Sequence, residues 1–224
     1  MAYSINGLKR KVDKAFKDAF KNLPRKNKFN PIPKKLTSGK LYEAYVLAII
    51  SDHLKNKEGF DLKLVNGKNI YLRSSHGPID RKFPFIELYK NNKLMAEIWT
   101  DIEFLGLSYS LRNPTKIEKG DYHELDILVL SPNLNGRPSN KDIWLGVECK
   151  NTEYDKSLLK EILGVRREMS LLSHNNKTMF AHWPMNIIPA DPPSCLVVFS
   201  TNRKVNDYSS PGSIFGIGFY HLAF

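Results

Sequence analysis

The sequence predicts an α/β sandwich with a mixed central β-sheet flanked by helices, and three observations carry that expectation. Short, almost wholly apolar runs from Ile127 to Leu130, Ile143 to Val147 and Cys195 to Ser200 have strand length and suit strands covered on both faces. Longer stretches on either side of the first two, from Lys40 to about Lys57 and from Asp155 to about Leu172, carry their apolar residues at helical spacing. The order is helix, strands, a strand bearing Asp126, a strand bearing Glu148 and Lys150, helix, strand.

A chain of 224 residues with 42% hydrophobic content suits one medium domain, expected over residues 39–224, with a basic appendage over residues 1–38. Lys and Arg number 34 against 23 Asp and Glu, a formal charge of +11, which points to a polyanionic partner. Nucleic acid comes first and an anionic membrane surface second. Cys149 and Cys195, both inside apolar runs, read as buried reduced thiols, which excludes a disulfide framework and a cysteine-rich zinc site. No apolar run approaches the roughly 20 residues that span a bilayer, and the N-terminus has no signal-peptide core. The expectation is a soluble cytoplasmic protein without a membrane partner. No internal repeat, phosphate-binding loop or dinucleotide fingerprint is present.

Near the start, Leu8, Val12, Ala15, Phe16, Ala19, Phe20 and Leu23 follow helical spacing, with lysines and Arg10 around the remaining surface, and Pro24 ends the helix. Beyond it, Arg25-Lys26-Asn27-Lys28 and the following prolines and lysines read as an extended basic connector. Lys9, Arg10, Lys14, Lys17, Arg25 and Lys26 are the expected phosphate contacts of this region. A helix packed on the core with a solvated basic face is compatible with that reading.

The next helix, capped by Thr37 or Ser38, is apolar nearly all round, so it should be largely buried. Glu43 stands in the same stripe as Val46, Leu47, Ile50 and Leu54, where a carboxylate needs a partner or a metal. Strands are expected from Asp61 to Val65, Phe83 to Tyr89 and Lys93 to Phe104, with Asn91-Asn92 as a hairpin turn. The last of these alternates Glu97, Trp99, Asp101 and Glu103 against Ala96, Ile98, Thr100 and Ile102, a rival carboxylate cluster that, with no lysine at Glu-X-Lys spacing, reads as a solvated or ion-paired sheet face. Residues 73–82, with His76-Gly77-Pro78, and 108–121 read as loops, and His76 as a surface histidine. Asp155 can cap a helix whose Leu158, Ile162, Val165, Met169 and Leu172 face the core, with Lys156, Lys160, Arg166 and Arg167 on its other faces. Residues 174–194 read as irregular, 206–212 as a turn and 214–222 as a final strand.

Successive strand side chains point to opposite faces, so Glu124 and Asp126 share one face and Glu148 and Lys150 another. The link 131–140 is rich in turn residues, and antiparallel pairing through it would bring Asp126 and Glu148 together. Clustered carboxylates resist ionisation, whereas a hard divalent cation accepts such a set of oxygens. Lys150 would hold a nucleophilic water and stabilise developing negative charge. The plainer reading is a solvated face or cross-strand ion pairs.

Asp126, a hairpin-length gap and then Glu148-Cys149-Lys150 resemble the active-site signature of the PD-(D/E)XK, or restriction-endonuclease-like, nuclease superfamily. Leu125 stands where the first motif has proline, as in many members. The resemblance covers roughly Gly39 to Thr201 and implies a restriction-endonuclease-like sandwich. It further implies an Mg²⁺-dependent endodeoxyribonuclease, with Mn²⁺ a substitute, in a bacterial restriction or anti-phage system. Asp126, Glu148 and the Cys149 carbonyl would hold the metal, Glu43 would support it, and Lys150 would complete the catalytic set. Lys156, Lys160 and Arg167 on the following helix would meet DNA, with RNA left open as a substrate. A homodimer, or a partner protein of a multi-gene system, is compatible with the resemblance. The rival expectation is a non-cleaving nucleic-acid-binding module on the same fold.

Overall fold

A computed structural model of the chain describes residues 5–19, 37–67, 70–112 and 114–224. Among these residues, seven strands form one mixed sheet in the order β1-β2-β3-β4-β5-β8-β9. These strands are β1 (Asp61–Val65), β2 (Phe85–Lys90), β3 (Lys93–Leu105), β4 (Tyr122–Leu130), β5 (Ile143–Lys150), β8 (Cys195–Ser200) and β9 (Ile217–His221). From β1 to β5 each pair is antiparallel, while β5, β8 and β9 run parallel. Asn91 and Asn92 both take left-handed backbone angles, φ 51° and 60°, as a two-residue hairpin turn demands.

The sheet is covered on both faces. Helices α1 (Ile5–Ala19) and α2 (Ser38–Asn56) close one side, where Val12, Phe16, Leu47 and Ile50 share a core with Ile98, Ile127, Val147 and Val197. On the other side α4 (Lys156–Met169) packs Ile162 and Met169 against Leu128, Ile143 and Val198. Gly146 makes this packing possible: a Cβ there would meet Leu125 at 2.6 Å and Met169 at 3.1 Å. Thr37 Oγ1 caps α2 by accepting from the Lys40 N–H, and Asp155 caps α4 by accepting from Ser157 and Leu158. The basic first helix is thus a packed helix whose Arg10, Lys14 and Lys17 remain exposed while Lys9 is half-buried. Arg25, Lys26 and the expected connector lie outside the described residues.

Several local expectations are corrected. Residues 108–121 are not a plain loop, since α3 (Leu107–Arg112) and a single 3₁₀ turn (Lys119–Asp121) occupy most of them. The helix after β5 stops at Met169, because Leu171 begins β6 (Leu171–Lys177), which pairs with β7 (Ile187–Asp191) in a separate two-stranded sheet. Leu172, expected in the core, is therefore 58% exposed. The polar sequence of β6 has no alternation to betray it. Arg166, expected on the surface, is buried and donates to the Ser194 carbonyl and to Ser170 Oγ. Before the last strand, residues 206–212 form a 3₁₀ turn running into α5 (Ser209–Ile214) rather than an open turn.

The alternation on β3 also breaks. Ala96 and Ile98 face the α2 side, yet Ile102 and Phe104 join Trp99 on the α4 side. The switch falls at Asp101, whose φ of 56° is left-handed. A matching switch occurs on β4, where Leu125 and Leu128 share a face and Ile127 opposes them. The ladder pairs Thr100 with Ile127 and Ile102 with Leu125, so Asp101 and Asp126 sit opposite one another at the switch.

The loop between β6 and β7 is tied to the end of α2 by Glu58. Its carboxylate accepts from the N–H groups of Ala181, His182 and Trp183 at 2.8, 2.6 and 2.7 Å. Burial alone would raise the Glu58 carboxyl, but these three donors hold it below the ordinary range. Such a depressed group stabilises the fold above its unfolded pKa, and that stability is lost as pH falls. Glu58→Gln should therefore cost about 2 kcal/mol at neutral pH, by weakening charge-assisted hydrogen bonds. The cost should shrink in acid. Urea unfolding at pH 7 and pH 4 measures both, and an equal cost at the two values would contradict the account.

Candidate functional site

Strands β4 and β5 are laddered only as far as Ile127 and Val147. Asp126 and Glu148 are the next residues along each strand, and there the strands part. Asp126 Oδ2 takes the place of a strand partner by accepting the Cys149 N–H at 2.6 Å. The wedge opens into a cavity of about 500 Å³ lined by His76, Glu124, Asp126, Glu148, Lys150 and Glu161, among others. The four ionisable groups expected to converge from the two strands do so. Lys150 Nζ lies 2.8 Å from Glu148 Oε1 and 3.0 Å from Glu161 Oε1 on α4.

Helix α2 reaches the same region from the opposite face. Lys40 Nζ lies 2.6 Å from both Glu43 Oε2 and Asp101 Oδ1. Glu43 is close enough to Asp126 for the two charges to repel, although it makes its direct contact with Lys40. Asp101 is fully buried and accepts the Arg73 N–H on Oδ2 at 3.1 Å. It therefore belongs to the site, whereas Glu97 and Glu103 pair with Arg81 and Arg137 as the sheet-face reading expected.

His76 is not a free surface histidine. The loop carrying it is pinned to β3 on both sides of Ile102: Gly77 N–H donates to the Asp101 carbonyl, and Glu103 N–H to the Gly77 carbonyl. The imidazole lies with Nδ1 2.9 Å from Glu124 Oε2, and with Nε2 3.6 Å from Asp101 Oδ1 and 3.8 Å from Asp126 Oδ1. Among the described residues, His76, Asp101 and Asp126 form one group whose ligand atoms lie within 4.8 Å of one another. Of the sequence-expected ligands only Asp126 is in that group, while Glu148 and Glu43 border it with Lys150 and Lys40 as their direct partners. Nothing in the sequence near His76 signals this role, since its partners are 25 and 50 residues away. Lys40, three residues before Glu43, could have been found from helical spacing.

The electrostatics follow from burying several carboxylates together. Burial, then the Asp126 charge, pushes Glu148 up to about 8, against the pull of Lys150. The same two causes push Glu43 up to about 7, against Lys40. Asp101 is raised by burial and held back by Lys40. Burial works against the Lys150 ammonium, yet Glu148 and Glu161 together raise it. Asp126, more than any other neighbour, raises His76.

Comparison of the chain with protein-family models, with curated proteins and with solved structures finds no match. No helix among the described residues is long and apolar enough to cross a membrane.

The raised carboxyls carry a pH dependence of fixed sign. From the ordinary 4.5 to about 8, the folded chain keeps a proton on Glu148 that the unfolded chain releases, so stability falls as pH rises through that window. Glu43 acts likewise up to about 7, and the raised His76 has the same sign above 6.5. Melting in EDTA should therefore show a Tm that declines between about pH 5 and pH 8, and Glu148→Gln should flatten the decline. A variant with the wild-type slope would mean that Glu148 ionises freely in the fold.

Proposed function

We propose that the protein is a metal-dependent nuclease that hydrolyses phosphodiester bonds of DNA, with Asp126, Glu148 and Lys150 as its catalytic set and Glu43 in support. The observation that carries the reading is the convergence of Asp126, Glu148 and Lys150 on one open cavity at the point where β4 and β5 separate. The carboxylates of Asp126 and Glu148, which line the cavity, would offer hard oxygen donors to a divalent ion together with the Cys149 carbonyl, and Glu43 would support them from α2. Burial and the Asp126 charge push Glu148 and Glu43 up, and a bound cation would favour their charged forms. When bound, Mg²⁺, or Mn²⁺ in its place, would polarise the scissile phosphate and acidify a water.

The chain's own groups would do the rest. The Asp126 carboxylate is held rigid by the Cys149 N–H. Lys150, positioned between Glu148 and Glu161, would orient the attacking water and offset charge developing on the phosphate. Exposed Lys156, Lys160 and Arg167 on α4, and Arg10, Lys14 and Lys17 on α1, would hold the backbone of the nucleic acid without reading its sequence. The resemblance to restriction-endonuclease-like nucleases supports this reading and suggests a restriction or anti-phage setting.

A non-cleaving binding module is favoured by one observation: each carboxylate already has a protein partner. Asp126 has the Cys149 N–H, Glu148 has Lys150, and Glu43 has Lys40. Incubation with linear, supercoiled and single-stranded DNA and with RNA, in Mg²⁺, Mn²⁺ or EDTA, separates the two. Cleavage should require the divalent ion and vanish in Asp126→Asn and Glu148→Gln. Lys150→Ala should cut about a hundredfold more slowly at saturating protein, the scale of losing one positioned electrostatic group. Its binding should keep the wild-type salt dependence, whereas neutralising Arg10, Lys14 and Lys17 should flatten it by roughly one unit of slope for each phosphate that no longer meets a cation. Metal-dependent binding without any cleavage would favour the module.

A further inference from the structure

We propose that His76 Nε2, Asp101 Oδ1 and Asp126 Oδ1 form a binding site for a first-row transition ion of the Mn²⁺ type, separate from the oxygen site at Glu148 and joined to it through Asp126. The inference deepens the nuclease reading and rests on it for the use made of the ion, but not for its binding.

The distances point to ligands of a common ion rather than to hydrogen-bond partners. At 3.6 and 3.8 Å from the two aspartate oxygens, Nε2 is too far to donate a good hydrogen bond to either. Ligands bonded at about 2.1–2.2 Å to one ion stand about 3.0–3.8 Å apart at ordinary coordination angles. Each of the three residues offers a ligand atom within 4.8 Å of the other two.

A second observation comes from outside the triad. Glu124 Oε2 lies 2.9 Å from Nδ1, the far nitrogen of the ring. A carboxylate at that position favours the tautomer with its proton on Nδ1, which leaves the Nε2 lone pair toward Asp101 and Asp126. The same carboxylate–histidine relation orients metal-binding imidazoles. The loop cannot easily withdraw the ring, because Gly77 is hydrogen-bonded to the backbone of both Asp101 and Glu103.

Asp101 and Asp126 use their other oxygens on backbone donors, the Arg73 N–H and the Cys149 N–H, so Oδ1 of each is turned toward His76. Lys40 shares Asp101 Oδ1, and a carboxylate oxygen has a second lone pair for an ion. The ligand chemistry then selects the ion. An imidazole beside two carboxylates suits Mn²⁺ and its transition-row neighbours, whereas Mg²⁺ prefers oxygen throughout. Asp126 would thus stand between two cation positions, one on each side of the sheet's opening.

The experiment is a titration of the full chain, stripped with EDTA, with Mn²⁺ alone, reading free ion by electron paramagnetic resonance, and repeated with excess Mg²⁺. The wild type should hold Mn²⁺ at a site that Mg²⁺ displaces poorly. His76→Ala and Asp101→Asn should lose that site, and Glu124→Gln should weaken it by about tenfold, as expected for an orienting partner. Circular dichroism checks that each variant folds, and Asp101→Asn keeps the shape of the side chain. As an independent readout, Mn²⁺ should broaden the His76 ring resonances of the wild type before those of His174 or His182. Retention of full Mn²⁺ binding by His76→Ala, or easy displacement by Mg²⁺, would overturn the proposal and leave the nuclease reading standing. Mn²⁺ binding that depends on His76, without cleavage of any nucleic acid, would uphold the site and count against the nuclease.

Discussion

The Cys149 N–H that binds Asp126 at 2.6 Å holds this molecule's site open. A buried strand must pair its backbone groups, and the ordinary partner of this N–H would be a carbonyl on β4. Once a carboxylate takes that place, β4 and β5 separate beyond Ile127 and Val147, and the wedge between them admits water and charged groups. Everything else at the site depends on that departure from the ladder. The cavity lies in it, and Glu148 and Lys150 face into it because the parallel pairing of β5 with β8 continues to Lys150 and Ser200.

Placing so much charge beside two apolar cores costs free energy, and the structure offsets the cost in pairs. Lys40 joins Glu43 to Asp101, Lys150 joins Glu148 to Glu161, and His76 stands among Glu124, Asp101 and Asp126. The pairing is incomplete, as the upward push on Glu148 and Glu43 records. A surplus of buried carboxylate within a chain of net charge +11 is a local inversion of sign. Basic surface draws a polyanion in from a distance, while the acidic centre repels it unless a cation intervenes. The nuclease proposed above would use both halves, with metal and phosphate meeting at the cavity.

Much of the framework was legible in the chain itself. The strands Asp61–Val65 and Cys195–Ser200 were read to the residue because apolar runs and turn residues bound them sharply. The hairpin at Asn91-Asn92, the cap at Asp155 and the convergence of Glu124, Asp126, Glu148 and Lys150 followed from local rules of turn, cap and alternation. The β6–β7 hairpin escaped because its first strand is polar and exposed. Arg166 escaped because a lone arginine on a helix gives no sign that a backbone carbonyl and a serine await it in the interior.

By itself, then, the sequence determined the α/β class, the strands of the central sheet with the helices α2 and α4, and the meeting of Asp126 with the Glu148–Lys150 strand. Each of these rests on periodicity within a single segment or on one short connection. Only the tertiary structure decided that Asp101 leaves its sheet face, that Lys40 clamps it to Glu43, and that His76 enters the site. Asp101 turns because one left-handed residue on β3 exchanges the faces of all that follow. His76 arrives because its loop is bridged to β3 at Asp101 and Glu103, a contact between segments about 25 residues apart. Patterns of spacing carry no information about such a contact, which is set by the packing of the whole sheet.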